Sequence, residues 1–522
     1  MNRINQILAV VVSMLFVFLV LEGGLRLIGF TPRRTMNQFD SALGWTKTPS
    51  TSLRRHTGEF DVTLRTNSRG LREDESVVYA KEKDVTRILM VGDSFTLGYT
   101  VERPDTLSQL LAARMRSEGR NVEVINGGTE GYSTDQEILW LMNEGVKYKP
   151  DVVVLQMYEN DIFWNGQDRY LRYPKPKLRG ELPPRIALKG FTDGAGKLND
   201  PGQEPWLERN SALGNLFGGL FGAPQVPMMA GPRPLPAEWA VRVRDDDGDG
   251  WTETRTALKA FKAIAEDMKA KPIVVVIPDK AQVDPASRKA MSEAIGNPAY
   301  DPDRPYRGMV EAAKAAGLTV VEPQAAMVAA GENGARQLYF ERDWHTNAVG
   351  NRVLAKEIDA ALASPEFLGP PPHEAPPLSL PTSDEHPSNV LRNLVIAVAV
   401  WLILGTLYAR RFPNEGAARS YGSVGALICA VIAIVGLVGF LTSILPVWIA
   451  RWVSSIVILG VLGAAVWYLR ARLPVMGELF ATFVRRGQWY MLPVLVGLLS
   501  LGGLLVVAAS SPWLAPFIYT LF

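Results

Sequence analysis

The sequence holds a single cysteine, Cys429, among 522 residues. That excludes an internal disulfide and any zinc or iron–sulfur centre built from cysteines. Histidine is scarce as well: His56, His345, His373 and His386 are the four. They are too few for a histidine-rich metal centre but enough for acid–base chemistry, which needs one. An excess of either charge is missing too. The 55 basic and 53 acidic residues leave a net charge of +2, and no long basic run crosses the polar part, so no nucleic-acid partner is expected. A chain that is 47% hydrophobic and 21% charged is neither disordered nor fibrous.

The apolar residues are unevenly spread. Ile7 to Leu21 is almost uninterrupted apolar sequence and can run on to Phe30, long enough at about 1.5 Å per residue to cross a bilayer. No small-x-small cleavage site follows, only Glu22-Gly23-Gly24-Leu25-Arg26, so residues 7–30 read as an uncleaved anchor rather than a signal peptide. Glu22 and Arg26, four apart, are spaced to pair. Residues 31–365 are mixed and polar. A proline-rich linker, 366–390, then leads into 391–522, where four apolar segments fall near Leu394–Tyr408, Val424–Leu445, Val453–Leu469 and Met491–Ser510. Arg3, Arg410, Arg411, Arg419, Arg470, Arg472, Arg485 and Arg486 all fall on one side of a five-span arrangement, with Arg392 and Arg451 as exceptions. By the positive-inside rule that side is the cytoplasm, and the polar region faces outward, into a bacterial periplasm. The C-terminal spans carry no central Asp, Glu, Lys or His for an ion relay. Gly425, Gly436, Gly439, Gly497, Gly502 and Gly503 instead suit close helix packing or another membrane protein as partner.

The outward region, 86–365, alternates short β-rich runs with helix-period segments. Strands are expected at Arg87–Gly92, Asn121–Asn126, Asp151–Met157, Pro272–Pro278 and Leu318–Glu322. Helices are expected at Leu107–Arg116, Asp135–Val146, Thr254–Met268, Pro305–Ala316 and Ala348–Leu362. Continuous apolar strands between amphipathic helices predict an α/β fold with a parallel sheet covered on both faces. In such folds chemistry sits beyond the carboxyl ends of the strands. Residues 162–253, rich in Pro, Gly and Trp, read as an insertion over that edge. Residues 31–85 read as a membrane-proximal extension, most simply an extra strand pair on the domain.

The strand ends carry four short blocks. Gly92-Asp93-Ser94 follows the first strand, Asn126-Gly127-Gly128-Thr129-Glu130-Gly131 the second, and Tyr158-Glu159-Asn160-Asp161 the third; Asp343-Trp344-His345 precedes the last helix. In this order they resemble the GDSL or SGNH hydrolase superfamily, over roughly Arg87 to Leu362. The resemblance implies a flavodoxin-like three-layer domain with Ser94 as nucleophile and His345 as base. It implies an oxyanion hole from the Ser94 and Gly131 amides and the Asn160 side chain. Two departures stand out. Tyr158 replaces a leading glycine, and Asp343 lies two rather than three residues before the histidine, where Arg342 stands in the usual place. A shorter Asp-x-His form still lets Asp343 orient the imidazole.

These readings lead to a membrane-anchored periplasmic serine esterase that removes O-acyl, chiefly O-acetyl, groups from envelope glycans. Its substrate is an acylated glycan or a lipid-linked saccharide, and it needs no cofactor. The same residues would serve an O-acyltransferase, and a non-catalytic subunit of a membrane assembly is the third reading. Asp245, Asp247 and Asp249 begin like a calcium loop, but position twelve is Thr256 rather than the bidentate Glu of an EF-hand. An acidic loop capping the following helix is preferred.

Overall fold

The computed structural model describes residues 32–380 except 33–34, 58, 172, 178–205, 222–235, 244–248, 335 and 379, with scattered positions from 15 to 26 and from 398 to 426. The chain divides into two compact units, Met1–Thr31 with Asp384–Phe522, and Pro32–Ser383. In the first unit Glu22 and Arg26 pair at 2.7 Å. Gly425 lies against Trp401, whose indole N–H donates to the Tyr421 carbonyl at 2.8 Å. Among the described residues no helix is long and apolar enough to cross a membrane. Most positions of the expected spans lie outside those residues.

The second unit opens with two antiparallel pairs, β1 (Asn37–Asp40) with β2 (Gly44–Lys47) and β3 (Ser52–His56) with β4 (Asp61–Arg65). The α/β part follows: β5 (Thr86–Val91), α1 (Ser94–Leu97), α2 (Leu107–Ser117), β6 (Val122–Asn126), α3 (Thr134–Asn143), β7 (Val152–Met157) and α4 (Asn160–Asn165). Within the insertion come a two-residue pair, β8 (Arg169–Tyr170) with β9 (Tyr173–Pro174), and helices α5 (Trp206–Asn210) and α6 (Ala212–Phe221). Then come α7 (Asp249–Asp267), β10 (Lys271–Val276), α8 (Lys280–Val283), α9 (Pro285–Ile295), α10 (Arg304–Ala315), β11 (Thr319–Val321), α11 (Gln324–Ala330) and α12 (Ala348–Leu362).

All five expected strands join one parallel sheet in the order β11-β10-β7-β5-β6. This is the flavodoxin-like winding, and its topological switch point lies between β5 and β7. Alternate side chains point to opposite faces. Ile88, Met90, Val152 and Val154 pack with Leu111 and Met115 of α2 and Val353 and Ile358 of α12. Leu89, Val91, Val153 and Leu155 pack with Leu141 of α3, Phe261 of α7 and Met309 of α10. Every residue of β7 is buried, which is why this strand reads as an apolar run broken only by Gln156, whose amide donates to Asp93 at 3.1 Å. Full burial of each Val, Leu or Ile contributes about 1.5–3 kcal/mol.

Two boundaries differ from expectation. The long helix after the insertion starts at Asp249, not near Thr254, because Gly250 lets the backbone close on α4. A side chain on Gly250 would meet the Ile162 carbonyl at 2.0 Å. Thr254 also bonds back to the Gly250 carbonyl at 2.6 Å. The insertion in turn departs inside α4, whose last residues lie beyond position 162.

Candidate active site

Ser94 is the first residue of α1, a single turn at the carboxyl end of β5. Asp93 caps that turn, accepting the Phe95 N–H at 2.9 Å, and Gly98 ends it in the left-handed conformation at φ 73°. Gly92 must lack a side chain, since a Cβ there would lie 2.2 Å from Thr96 Oγ1. Arg72, from the segment ahead of β5, donates to the carbonyls of Leu97 at 3.0 Å, Gly98, and Val101 at 2.6 Å. Burial lowers its pKa to about 10. The turn is therefore clamped at both ends.

The loop after β6 is stitched to the same turn. The Gly127 N–H donates to Met90 at 2.8 Å and the Thr129 N–H to Gly92 at 3.0 Å. Asn126 donates its amide to the Thr96 carbonyl at 2.7 Å and accepts the Gly128 N–H at 3.0 Å. Gly131 sits in this loop at φ 74°. A side chain there would be strained by its backbone and would meet the Tyr170 ring at 2.5 Å.

Asn160 is the first residue of α4, at the end of β7, which neighbours β5. Its amide oxygen is buried without a hydrogen-bond partner. The residues around it explain the departures in this block. Tyr158 packs on Phe95 with ring centroids 4.5 Å apart and donates its hydroxyl to Asp279 at 2.6 Å. Glu159 is buried and paired with Arg242, from the 3₁₀ turn Ala237–Arg242 of the insertion, whose Nε lies 2.9 Å away. Arg242 also approaches Asp279 at 3.2 Å. Burial raises the Glu159 carboxyl to about 7 against the pull of that guanidinium. Nothing in the motif hinted at Arg242; it lies in the Pro-, Gly- and Trp-rich insertion.

His345 arrives from the other end of the domain. Its Nε2 is 2.7 Å from Ser94 Oγ, and its Nδ1 is 2.5 Å from Asp343 Oδ1. The shortened Asp-x-His spacing works because Trp344, between them, takes a left-handed backbone at φ 68°. A bulky residue adopts that region at a cost of order 1–3 kcal/mol. Trp344, like Trp239, Val243 and Tyr300, packs against the cluster of Ala281, Met291 and Ile295. Burial alone would raise the Asp343 carboxyl. The imidazole of His345 and the guanidinium of Arg55 outweigh it and hold that carboxyl below its usual range.

A second group of acids lies fully buried near the site: Asp93, Asp135, Glu137 and Asp161. Burial drives the Glu137 and Asp161 carboxyls well above their usual values, and repulsion from Asp93 and Asp135 adds to this at both. Lys175 pairs with Asp135 at 2.6 Å. Among the described residues no group of three or more His, Cys, Asp or Glu is placed to hold a metal ion. Asp245 and Asp247 lie outside those residues, and Asp249 begins α7. His373 packs on Gly119, after α2, and takes no part in the site.

A family model described as GDSL-like lipase/acylhydrolase matches residues 88–358. A second model, of a family of unknown function, matches 473–522. No curated protein matches. Among solved structures, a lipase/acylhydrolase from Enterococcus faecalis is 15% identical, with 53% of this chain and 95% of that chain covered at a TM-score of 0.29. The acetylxylan esterase Axe2 from Geobacillus stearothermophilus is 13% identical, with 55% and 99% covered at 0.30. Likenesses this distant add nothing to the chemistry of the site. The family model, by contrast, takes in just over half of the chain, all of the parallel sheet but the first two residues of β5, and every block described above, so the chain belongs to the GDSL-like lipase/acylhydrolase family and is a serine hydrolase.

Proposed function

We propose that the chain is a membrane-anchored periplasmic esterase that removes O-acyl groups, chiefly O-acetyl, from envelope glycans. The observation that carries the chemistry is the unbroken line from Ser94 Oγ through the His345 ring to Asp343. The Ser94 hydroxyl donates to Nε2, and His345 takes that proton as the oxygen attacks the acyl carbonyl, since a neutral serine is a poor nucleophile. Nδ1–H donates to Asp343, which fixes the tautomer and stabilises the imidazolium. The backbone amides of Ser94 and Gly131 and the Asn160 side chain receive the negative charge that develops on the carbonyl oxygen. The imidazolium then gives its proton to the departing sugar oxygen, leaving the acyl group on Ser94. Water, deprotonated by His345, attacks the acyl carbon; the imidazolium returns that proton to Ser94 Oγ as its bond to the acyl group breaks, and the freed acid ionises to the carboxylate. Enzymes of this family generally need no cofactor, and no step here calls for one.

Anchoring and compartment rest on the apolar stretches and on the arginines between them. The choice of glycan rests on that compartment, which holds acylated envelope sugars. Two measurements test the proposal. A fluorophosphonate probe should label the parent and not Ser94→Ala. Incubation with an O-acetylated glycan should release free acetate. Acetate that passes instead to an added glycan acceptor would make the chain a transferase, and absence of both labelling and acetate release would overturn the enzymatic reading.

A further inference from the structure

The β3–β4 hairpin lies ahead of the family match, yet it grips the loop that carries the acid and base. Glu59, between its strands, accepts the backbone N–H of Arg342 at 2.9 Å and of Asp343 at 3.0 Å. Phe60 packs edge-on against Phe340, with centroids 5.3 Å apart, in a cluster with Val62 and Val101. Arg55 donates to the Tyr99 carbonyl at 2.7 Å and lies over the Tyr99 ring, 3.2 Å from its centroid. The ring of Tyr99 is in turn 6.0 Å from that of His345.

Hydrogen bonds from backbone N–H groups to a carboxylate are about twice as strong as neutral ones. Here two of them end on consecutive residues, one being the residue whose side chain orients the imidazole. The next residue, Trp344, holds a left-handed backbone, which persists only where its surroundings over-determine it. We propose that Glu59 is a positioning residue for the reaction: its carboxylate fixes the Arg342–Asp343 backbone so that Asp343 meets His345. This rests on the serine–histidine reading above. The hairpin is then a working part of the site and not an appendage to the domain.

The test uses the full-length chain in detergent with p-nitrophenyl acetate. Turnover that survives Ser94→Ala would overturn the site reading and this proposal together. With turnover shown to depend on Ser94, Glu59→Ala should lower kcat by about 10–100-fold with KM within a factor of two, as expected when reacting groups shift by a fraction of an ångström. Glu59→Gln keeps one acceptor oxygen and should recover part of that loss. Arg54→Ala, which breaks only an exposed pair with Asp61 on the same hairpin, should leave kcat unchanged. If Glu59→Ala does not fold, Glu59→Gln decides. A parental kcat in a folded Glu59 variant, or a rise in KM with kcat preserved, overturns the proposal.

Discussion

One residue, Trp344, separates Asp343 from His345, and its backbone decides whether they can meet. In an extended chain Asp343 and His345 would share a side with no turn between them. The left-handed Trp344 supplies the turn, and it brings Oδ1 to 2.5 Å from Nδ1. Asp343→Asn should therefore fold normally and lose up to about 10⁴-fold in kcat, because the amide favours the wrong imidazole tautomer. Steady-state turnover on a short ester, set beside a thermal melt, checks this. Parental turnover in a folded variant would reduce the site to a Ser94–His345 pair. Asn160→Ala should cost about 10²–10³-fold, the usual loss of one oxyanion donor. Covalent labelling of Ser94 should survive in part.

Elements, unlike contacts, were largely legible in the sequence. Strands buried on both faces announce themselves as apolar runs, and β5, β6, β7, β10 and β11 fall within a residue or two of where hydropathy puts them. The motif blocks sit at strand ends for the same reason. Helices α8, α9 and α11 were not foreseen, since their residues are short or weakly periodic. The ties between elements were also hidden, because Arg72, Glu73, Glu59 and Arg242 act across gaps of tens to hundreds of residues. Glu73 shows what such a tie costs. It accepts the Asn126 N–H at 3.1 Å and Gln109 Nε2 at 2.9 Å, joining the segment before β5 to β6 and α2. Burial pushes its pKa up from 4.5 to about 7. A carboxyl raised on folding stabilises fully below its unfolded value, and that contribution is lost as pH rises through the folded value. Glu73→Gln stays neutral, so its melting temperature relative to the parent should climb between pH 5 and pH 8. A difference that is flat across that window would show that Glu73 is ionised throughout.

At the scale of the molecule, the arrangement of arginines predicts that the domain bearing Ser94 is exported. Alkaline phosphatase fused after Pro365 should be active in a bacterial host, while a fluorescent protein that matures only in the cytoplasm should stay dark there. The reverse pattern would place the domain in the cytoplasm and end the envelope-glycan proposal. The family match begins at residue 88 and ends at 358, and it is tempting to take those numbers as the edges of something that could stand alone. The clamp of Arg72 on the Ser94 turn argues otherwise, and so does the grip of Glu59 on the base loop. A fragment cut at 88 would retain Ser94, Gly131, Asn160, Asp343 and His345. It would lose the guanidinium and the carboxylate that hold two of its four working segments. Its ancestry would be whole, and its machinery would be missing a wall.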